Sequence, residues 1–357
     1  MNEHIALDHY RLLGRSGLRV APLALGTMTF GQDWGWGADE AEARRIFDAY
    51  VERGGNFVDT AVNYTNGSAE RMVGKLMEGR RERIVLSTKF TMARTPGDPN
   101  SGGNHRMNLV RSVETSLRQL GTDRIELLHL HAWDDTTPPD EVLRALDDLV
   151  RAGKVLYLGI CNTPAWRVAQ LQTIAELRGW TRLAALQIEY SLVERSVEHE
   201  LMPMARALGL GVMPWSPLGG GILSGKYGQA DLDTRGERDV AATRKGIIAS
   251  SGLLNATSLA IAGVVAEVAA EIGATAAQVA LAWTLRHPAV TAPVIGARTL
   301  AQALDNLGAL DVVLDEEQVA RLDGASAPAP IFPQRFVGQP MVQQLMSGGA
   351  QVAGRGH

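Results

Sequence analysis

A single cysteine, Cys161, stands among the 357 residues, so no internal disulfide can form and the chain reads as suited to a reducing cytoplasm. An excess of one sign of charge is also lacking. The formal net charge is -4, which gives no reason to expect nucleic acid or an anionic membrane as partner. The first residues, MNEHIALDHYRLLGRSG, lack a basic start, an apolar run and a cleavage-like site, so no secretion signal is read there. The longest apolar stretch, SLAIAGVVAEVAAEIGATAAQVALAWTL, is interrupted by Glu267 and Glu271, which are costly in hydrocarbon. It reads as two soluble helices. No G-x-G-x-x-G follows an early strand, which removes the usual dinucleotide fingerprint.

What is present is an ordinary globular composition, 45% hydrophobic and 21% charged, on a chain long enough for a substantial core. Eight short runs rich in Val, Ile and Leu recur: APLALGTM, NFVDTA, RIVLSTK, IELLHLH, VLYLGICN, AALQIEY, GVMPWSP and APVIGA. Between most of them lie helical patterns, at Asp39 to Arg53, Ser68 to Met77, Met107 to Leu120, Pro139 to Ala152, Pro164 to Arg178 and Glu198 to Leu208. Strand-helix alternation means parallel strands joined by crossovers, and eight such units predict a closed (β/α)8 TIM barrel over residues 1–325. The connection from the seventh strand to the eighth is the longest, with a polar segment around Asp231 to Lys245 and helices near Ser258 to Ile272 and Thr275 to Arg286. Ahead of the first strand, YRLLGRSGLRV reads as a β-hairpin capping the barrel bottom. The tail, residues 326–357, turns to Pro, Gly and Gln and reads as mobile or loosely docked.

In such a barrel the chemistry sits where strands end and loops begin. The terminal residues of the eight runs, or their near neighbours, are Met28, Asp59, Lys89, His131, Asn162, Tyr190, Ser216 and Gly296. Three consecutive units thus offer a carboxylate, an ammonium and an imidazole, with Tyr64 just beyond Asp59. A buried structural network is the alternative, but four titratable groups at one mouth favour a site. Gly220 to Lys226, GGILSGK, fits part of a phosphate loop, yet Tyr227 stands where a Ser or Thr should hold magnesium. His129 and His131 alternate on one strand without an evident third ligand, so no metal is expected. Trp34, Trp36 and Trp133 are candidates for a pocket lining, with core packing the equal alternative.

Several motifs in order, LALGTMTFG, GGNFVDTAVNY, STK, LLHLHAWD, LGICNTPAW, ALQIEYSL, PWSPLGGGILSGKY and VIGARTLAQALDN, make the chain resemble the aldo-keto reductases from about Leu23 to Ala325. GGNHRMNL and GICNTPAW look most like the aryl-alcohol dehydrogenase branch, which includes reductases of aromatic polyketide aldehydes. The resemblance implies that Asp59, Tyr64, Lys89 and His131 are the catalytic four. Tyr64 would give a proton to a carbonyl oxygen while NADPH gives hydride to the carbon. Lys89, held by Asp59, would draw the phenol below its ordinary value, and His131 would orient the substrate. Asn162 and Gln187 match residues that bind the nicotinamide carboxamide, and Trp215 the aromatic on which that ring stacks. Ser216, Pro217, Leu218, Gly220 and Lys226 match the loop over the pyrophosphate. Arg298, Gln302, Asp305 and Asn306 match the adenosine end, with Arg298 the partner of a 2′-phosphate. Thr27, Met28, Cys161 and Gly296 complete the cofactor set. Cys161, where Ser is frequent, and Val62 depart from the pattern. Two other readings are a cofactor-sensing regulatory protein and an aldolase using Lys89 as a Schiff-base amine. The substrate is expected to be a small carbonyl compound, with specificity in loops Thr91 to His105 and Asp231 to Ser251 and in the tail from Pro328.

Overall fold

A computed structural model describes residues 5–233 and 250–350. Two strands, β1 (Arg11–Leu12) and β2 (Arg19–Val20), pair antiparallel as the expected hairpin. The other eight strands are β3 (Ala24–Gly26), β4 (Phe57–Asp59), β5 (Val85–Phe90), β6 (Ile125–Leu130), β7 (Val155–Cys161), β8 (Leu183–Glu189), β9 (Gly211–Trp215) and β10 (Val294–Gly296). They form one parallel sheet in the order β10-β3-β4-β5-β6-β7-β8-β9. The ring is drawn together on its last side by the parallel bridge between Val212 and Val290. This is the (β/α)8 barrel. Helices α1 (Glu40–Glu52), α2 (Ser68–Leu76), α3 (Arg106–Leu120), α4 (Pro139–Arg151), α5 (Ala165–Arg178) and α6 (Leu201–Leu208) form the crossovers at the expected places.

Side chains alternate across each strand, so every second residue enters the barrel. The lowest layer is apolar: Phe57, Val85, Leu127, Ala185 and Met213 pack with Leu13 and Val20 of the hairpin. Arg15 N donates to Gly209 O at 2.9 Å, which seats the hairpin at the amino ends of the strands. Tyr50 on α1 ties two strands from outside, its hydroxyl donating to Leu23 O at 2.7 Å and accepting from Phe57 N at 3.1 Å. One register position up, the interior turns polar with Asp59, Ser87, His129 and Gln187. Gly159 on β7 belongs to this layer. A Cβ there would fall 2.3 Å from the His129 ring, so glycine makes the room the imidazole occupies.

The long apolar stretch is divided into helices Ala256–Ile272 and Ala276–Arg286, bent by 100° about Gly273 at φ +67°. Among the described residues no single helix is long and apolar enough to cross a membrane. The polar segment expected from Asp231 to Lys245, and most of the Asp231–Ser251 loop, lie outside the described residues beyond helix Gln229–Asp233. After helix Glu316–Ser326 the tail continues into helices Gln334–Val337 and Pro340–Ser347. It is docked at few points: Gln334 Nε2 donates to His199 O at 3.0 Å and to Glu200 at 3.1 Å, and Val342 is buried.

Candidate active site at the carboxyl ends of the strands

Asp59 ends β4 facing inward, and its carboxylate is fully engaged. Oδ1 accepts from Ser87 Oγ at 2.8 Å and from Gln187 Nε2 at 3.0 Å, while Oδ2 accepts from Lys89 Nζ. Lys89 is buried too, and donates a second bond to Thr60 O at 2.8 Å. Burial disfavours both charges, but each supports the other: the Asp59 carboxyl stays below its usual value and the Lys89 ammonium above its own. An amine kept charged in this way is no Schiff-base nucleophile, which removes the aldolase reading.

The ammonium lies 4.8 Å from the centre of the Tyr64 ring. Tyr64 begins the turn between β4 and α2, and its ring meets the His131 ring edge-on at 5.9 Å and the Trp34 ring at 6.4 Å. Asp59, Tyr64, Lys89 and His131, which span 73 positions of sequence from first to last, therefore converge at one point above the polar layer. The expected fall in the phenol's pKa is not what the geometry produces. Burial raises Tyr64 and outweighs the lowering by Lys89, so the phenol sits above its ordinary value. The sequence shows the cation beside the phenol but not the depth of both.

Ser87 was not among the residues read from the sequence. Its one hydroxyl proton goes to Asp59, so its 3.2 Å contact with His129 Nδ1 requires Nδ1 to carry hydrogen. Burial holds the His129 imidazole down to about 3, so it is neutral with its hydrogen on Nδ1, and its Nε2 has no partner. His131 is likewise held down to about 3 by burial and then by Lys89. Among the described residues no group of three or more His, Cys, Asp or Glu side chains is placed to hold a metal.

Two further clamps hold the mouth. Trp215 Nε1 donates to Asn162 Oδ1 at 3.0 Å, and Asn162 Nδ2 donates to His131 O at 2.8 Å, linking the ends of β9, β7 and β6. Thr91, just past β5, accepts from His131 N at 3.1 Å and donates to Asn104 at 2.7 Å. Thr91 holds φ at +101°, a costly angle for a β-branched residue. All the non-glycine residues with positive φ among the described ones, Thr65, Asn66, Thr91, Asp135, Asn162 and Ser216, lie in loops following the barrel strands at this face. Backbone strain is thus gathered where the titratable groups converge. Glu189, also missed, enters the mouth from the same face of β8 as Gln187. Burial and then Glu194 raise it to about 7. The alternation in Gln187-Ile188-Glu189 was the available signal.

The remaining sequence candidates are distributed as follows. Thr27 is buried, its hydroxyl donating to Asp59 O at 3.0 Å, and Met28 beside it is exposed. Cys161 is buried, and burial raises its thiol. Gly220 N donates to Ser216 Oγ at 3.0 Å in the turn Gly219–Ser224, with Pro217 buried and Leu218 half-buried; Lys226 lies over the Tyr227 ring at 4.8 Å. Arg298 is exposed, its N–H donating to Gln302 Oε1 at 2.9 Å at the start of helix Leu300–Leu307, and Asn306 Nδ2 donates to Gly296 O at 3.2 Å. Asp305 is turned to other partners, accepting from Thr275 at 2.9 Å and Gln278 at 3.1 Å. Trp34 and Trp36 lie 5.8 Å apart at a tilt of 52°, with Trp34 against Tyr64, whereas Trp133 packs under Arg167 at 4.7 Å.

A (β/α)8 barrel with an ion pair under a phenol at its carboxyl face is the framework of an oxidoreductase class, and comparison with known proteins places the chain within it. The model of the aldo/keto reductase family matches residues 22–327, and the chain belongs to that family. It is 41% identical to the oxidoreductase YrpG of Bacillus subtilis, over 88% of this chain and 94% of that one. It is 36% identical to norsolorinic acid reductase of Aspergillus flavus, over 93% of this chain and 84% of that one. It is 32% identical to a putative aryl-alcohol dehydrogenase of Saccharomyces cerevisiae, over 96% and 93%. The protein is an NAD(P)H-dependent oxidoreductase.

Proposed function

We propose that the chain reduces an aldehyde or ketone with aromatic or otherwise apolar substituents, using NADPH and taking the proton from Tyr64. The observation that carries this reading is the Tyr64 phenol standing over the buried Lys89–Asp59 pair with His131 across from it. NADPH, when bound, supplies the hydride. Tyr64 holds its proton firmly because it is buried, so the phenol is present as the acid when a carbonyl oxygen arrives. As that proton leaves, the nearby Lys89 charge stabilises the phenolate left behind. Asp59, fixed by Ser87 and Gln187, keeps Lys89 from turning away. His131, neutral, donates a hydrogen bond to the same oxygen, and Trp34 forms an apolar wall beside it.

The residues at the mouth suit a dinucleotide. Asn162 keeps one amide hydrogen and one lone pair free beyond its two protein bonds. Trp215 offers a partly exposed ring whose orientation Asn162 holds. Gly219, Gly220 and Gly221 have positive φ, and Gly220 presents no side chain to a phosphate group. Arg298 is the exposed guanidinium that favours a 2′-phosphate. An aromatic substrate is supported by the names of the relatives, a norsolorinic acid reductase and aryl-alcohol dehydrogenases.

The test is Tyr64→Phe assayed by NADPH absorbance against a panel of aromatic and aliphatic carbonyls. Turnover is expected to fall about 10²–10⁴-fold with NADPH affinity nearly unchanged. Full turnover in the variant would remove Tyr64 as the acid. A wild type that binds NADPH and reduces nothing on the panel would favour the sensor reading.

A further inference from the structure

Away from the barrel mouth, the loop after β5 and the outer face of α3 enclose a cleft of about 390 Å³ whose lining includes Arg94, Arg111 and Arg118. Arg111, Thr115 and Arg118 lie on one side of α3, at helical spacing, and Arg94 reaches over from the loop. Thr115 Oγ1 accepts from Arg94 Nη1 at 3.2 Å and from Arg118 Nη2 at 3.1 Å, and its own proton goes to Arg111 O. Two guanidinium groups therefore converge on a single hydroxyl oxygen.

None of the three arginines forms an ion pair with a carboxylate among the described residues, although carboxylates outnumber basic side chains 39 to 35 in the whole chain. Elsewhere the arginines find partners, as in Arg81–Glu126, Arg106–Asp148 and Arg195–Glu198. The two acidic residues in the lining are already engaged. Glu114 is bonded to Lys154, and Asp98 Oδ1 accepts from Asn100 N at 2.9 Å. Arg94 is the most constrained of the three: Nη2 reaches Asn108 Oδ1 at 3.4 Å, and Nε is buried with no partner. Its burial and the repulsion of Arg111 and Arg118 lower its pKa. Asp98 is the lining carboxylate whose charge offsets part of that repulsion, and with Glu114 held by Lys154 the three guanidinium groups keep an excess of positive charge that a bound anion relieves.

We infer that Arg94, Arg111 and Arg118 form a site for a phosphate dianion, free or carried as a monoester on a small molecule, separate from the barrel mouth. Planar guanidinium forks match phosphate oxygens in pairs, and the cleft lies in the size range of small-ligand sites. The site does not depend on the proposed cofactor. Arg298, the other guanidinium assigned to a phosphate, is on the far side of the sequence, after β10.

The experiment is titration calorimetry of the full chain, without dinucleotide and at constant ionic strength, with inorganic phosphate and separately with glycerol 3-phosphate. An Arg298→Ala background removes the guanidinium proposed for the 2′-phosphate, and the Arg111 and Arg118 variants separate the cleft from the glycine loop at the mouth. One saturable site is expected. Binding of inorganic phosphate assigns the free ion, and binding of glycerol 3-phosphate alone assigns the monoester. Arg118→Ala, an exposed change that leaves the fold intact, should weaken binding about tenfold. The double change Arg111→Glu with Arg118→Glu should abolish it. Absence of saturable heat with both probes, or unaltered binding in either variant, overturns the site.

Discussion

Gly159 and His129 show how closely the polar layer is fitted. A methyl group at Gly159 would stand 2.4 Å from His129 Nε2 and 2.3 Å from its Cδ2, so the imidazole would have to move, breaking its contact with Ser87 and loosening Asp59. Gly159→Ala is expected to destabilise the protein by about 1–3 kcal/mol, the usual scale of overpacking. Urea denaturation measures it, and adding His129→Ala should recover part of the loss if the clash is the cause. A double variant with no recovery would point to the backbone instead. Arg298 carries a second residue-level expectation. If its exposed side chain meets a 2′-phosphate, Arg298→Ala should weaken NADPH binding far more than NADH binding in fluorescence titrations. Equal losses would end that assignment.

At the scale of elements, α2 packs on β5 and α3 through a buried carboxyl. Glu70 accepts from Thr88 at 2.5 Å, its other oxygen is buried without a hydrogen-bond partner, and burial raises it from an ordinary 4.5 to about 7. Thr88 and Ser116 face it from β5 and α3, and Lys89 and Arg71 are the charges near it. A carboxyl with a higher pKa folded than unfolded binds more protons in the folded state between those two values. Its contribution therefore falls as pH rises from 4.5 towards 7 and is level above that. Stability measured in urea should show this decline, and Glu70→Gln should flatten it, leaving the variant more stable at pH 8 by roughly 2–4 kcal/mol. Glu189 titrates in the same window, so the difference between wild type and variant is the quantity to read. An unchanged slope in Glu70→Gln would show that the helix interface does not hold a neutral carboxyl.

For the whole molecule, the barrel and the tail contribute unequally. The ring of strands is closed by apolar layers and the hairpin, whereas residues 328–350 leave Phe332, Met341, Leu345 and Met346 mostly exposed and are held by Gln334 and Val342. Truncation after Ala327 is therefore expected to change unfolding free energy by no more than about 1 kcal/mol, measured by urea denaturation, because little buried surface is lost. A much larger loss would mean that the tail is part of the barrel's core rather than docked on it. The tail reaches the start of α6 at His199 and Glu200, on the side of the loop that follows β8. Its removal leaves the hairpin at the opposite end untouched.

What the sequence determined by itself was whatever propagates along the chain. Alternating strands and helices, the division of the apolar stretch into two helices, and the placing of Asp59, Lys89 and His131 at or near strand ends all follow from local periodicity and punctuation. Strand limits were drawn slightly long, as at Asn56 to Ala61 against Phe57–Asp59, because apolar composition continues past the last ladder bond. Three things depended on the tertiary structure. Ser87 and Gln187 meet Asp59 only when strands remote in sequence face one interior. The direction of the Tyr64 shift depends on how deeply the phenol is buried beside Lys89, and depth is a property of the packed whole. Arg94 joins Arg111 and Arg118 because a loop folds over a helix, and the Coulomb energy of that meeting varies with distances in space that spacing along the chain does not encode.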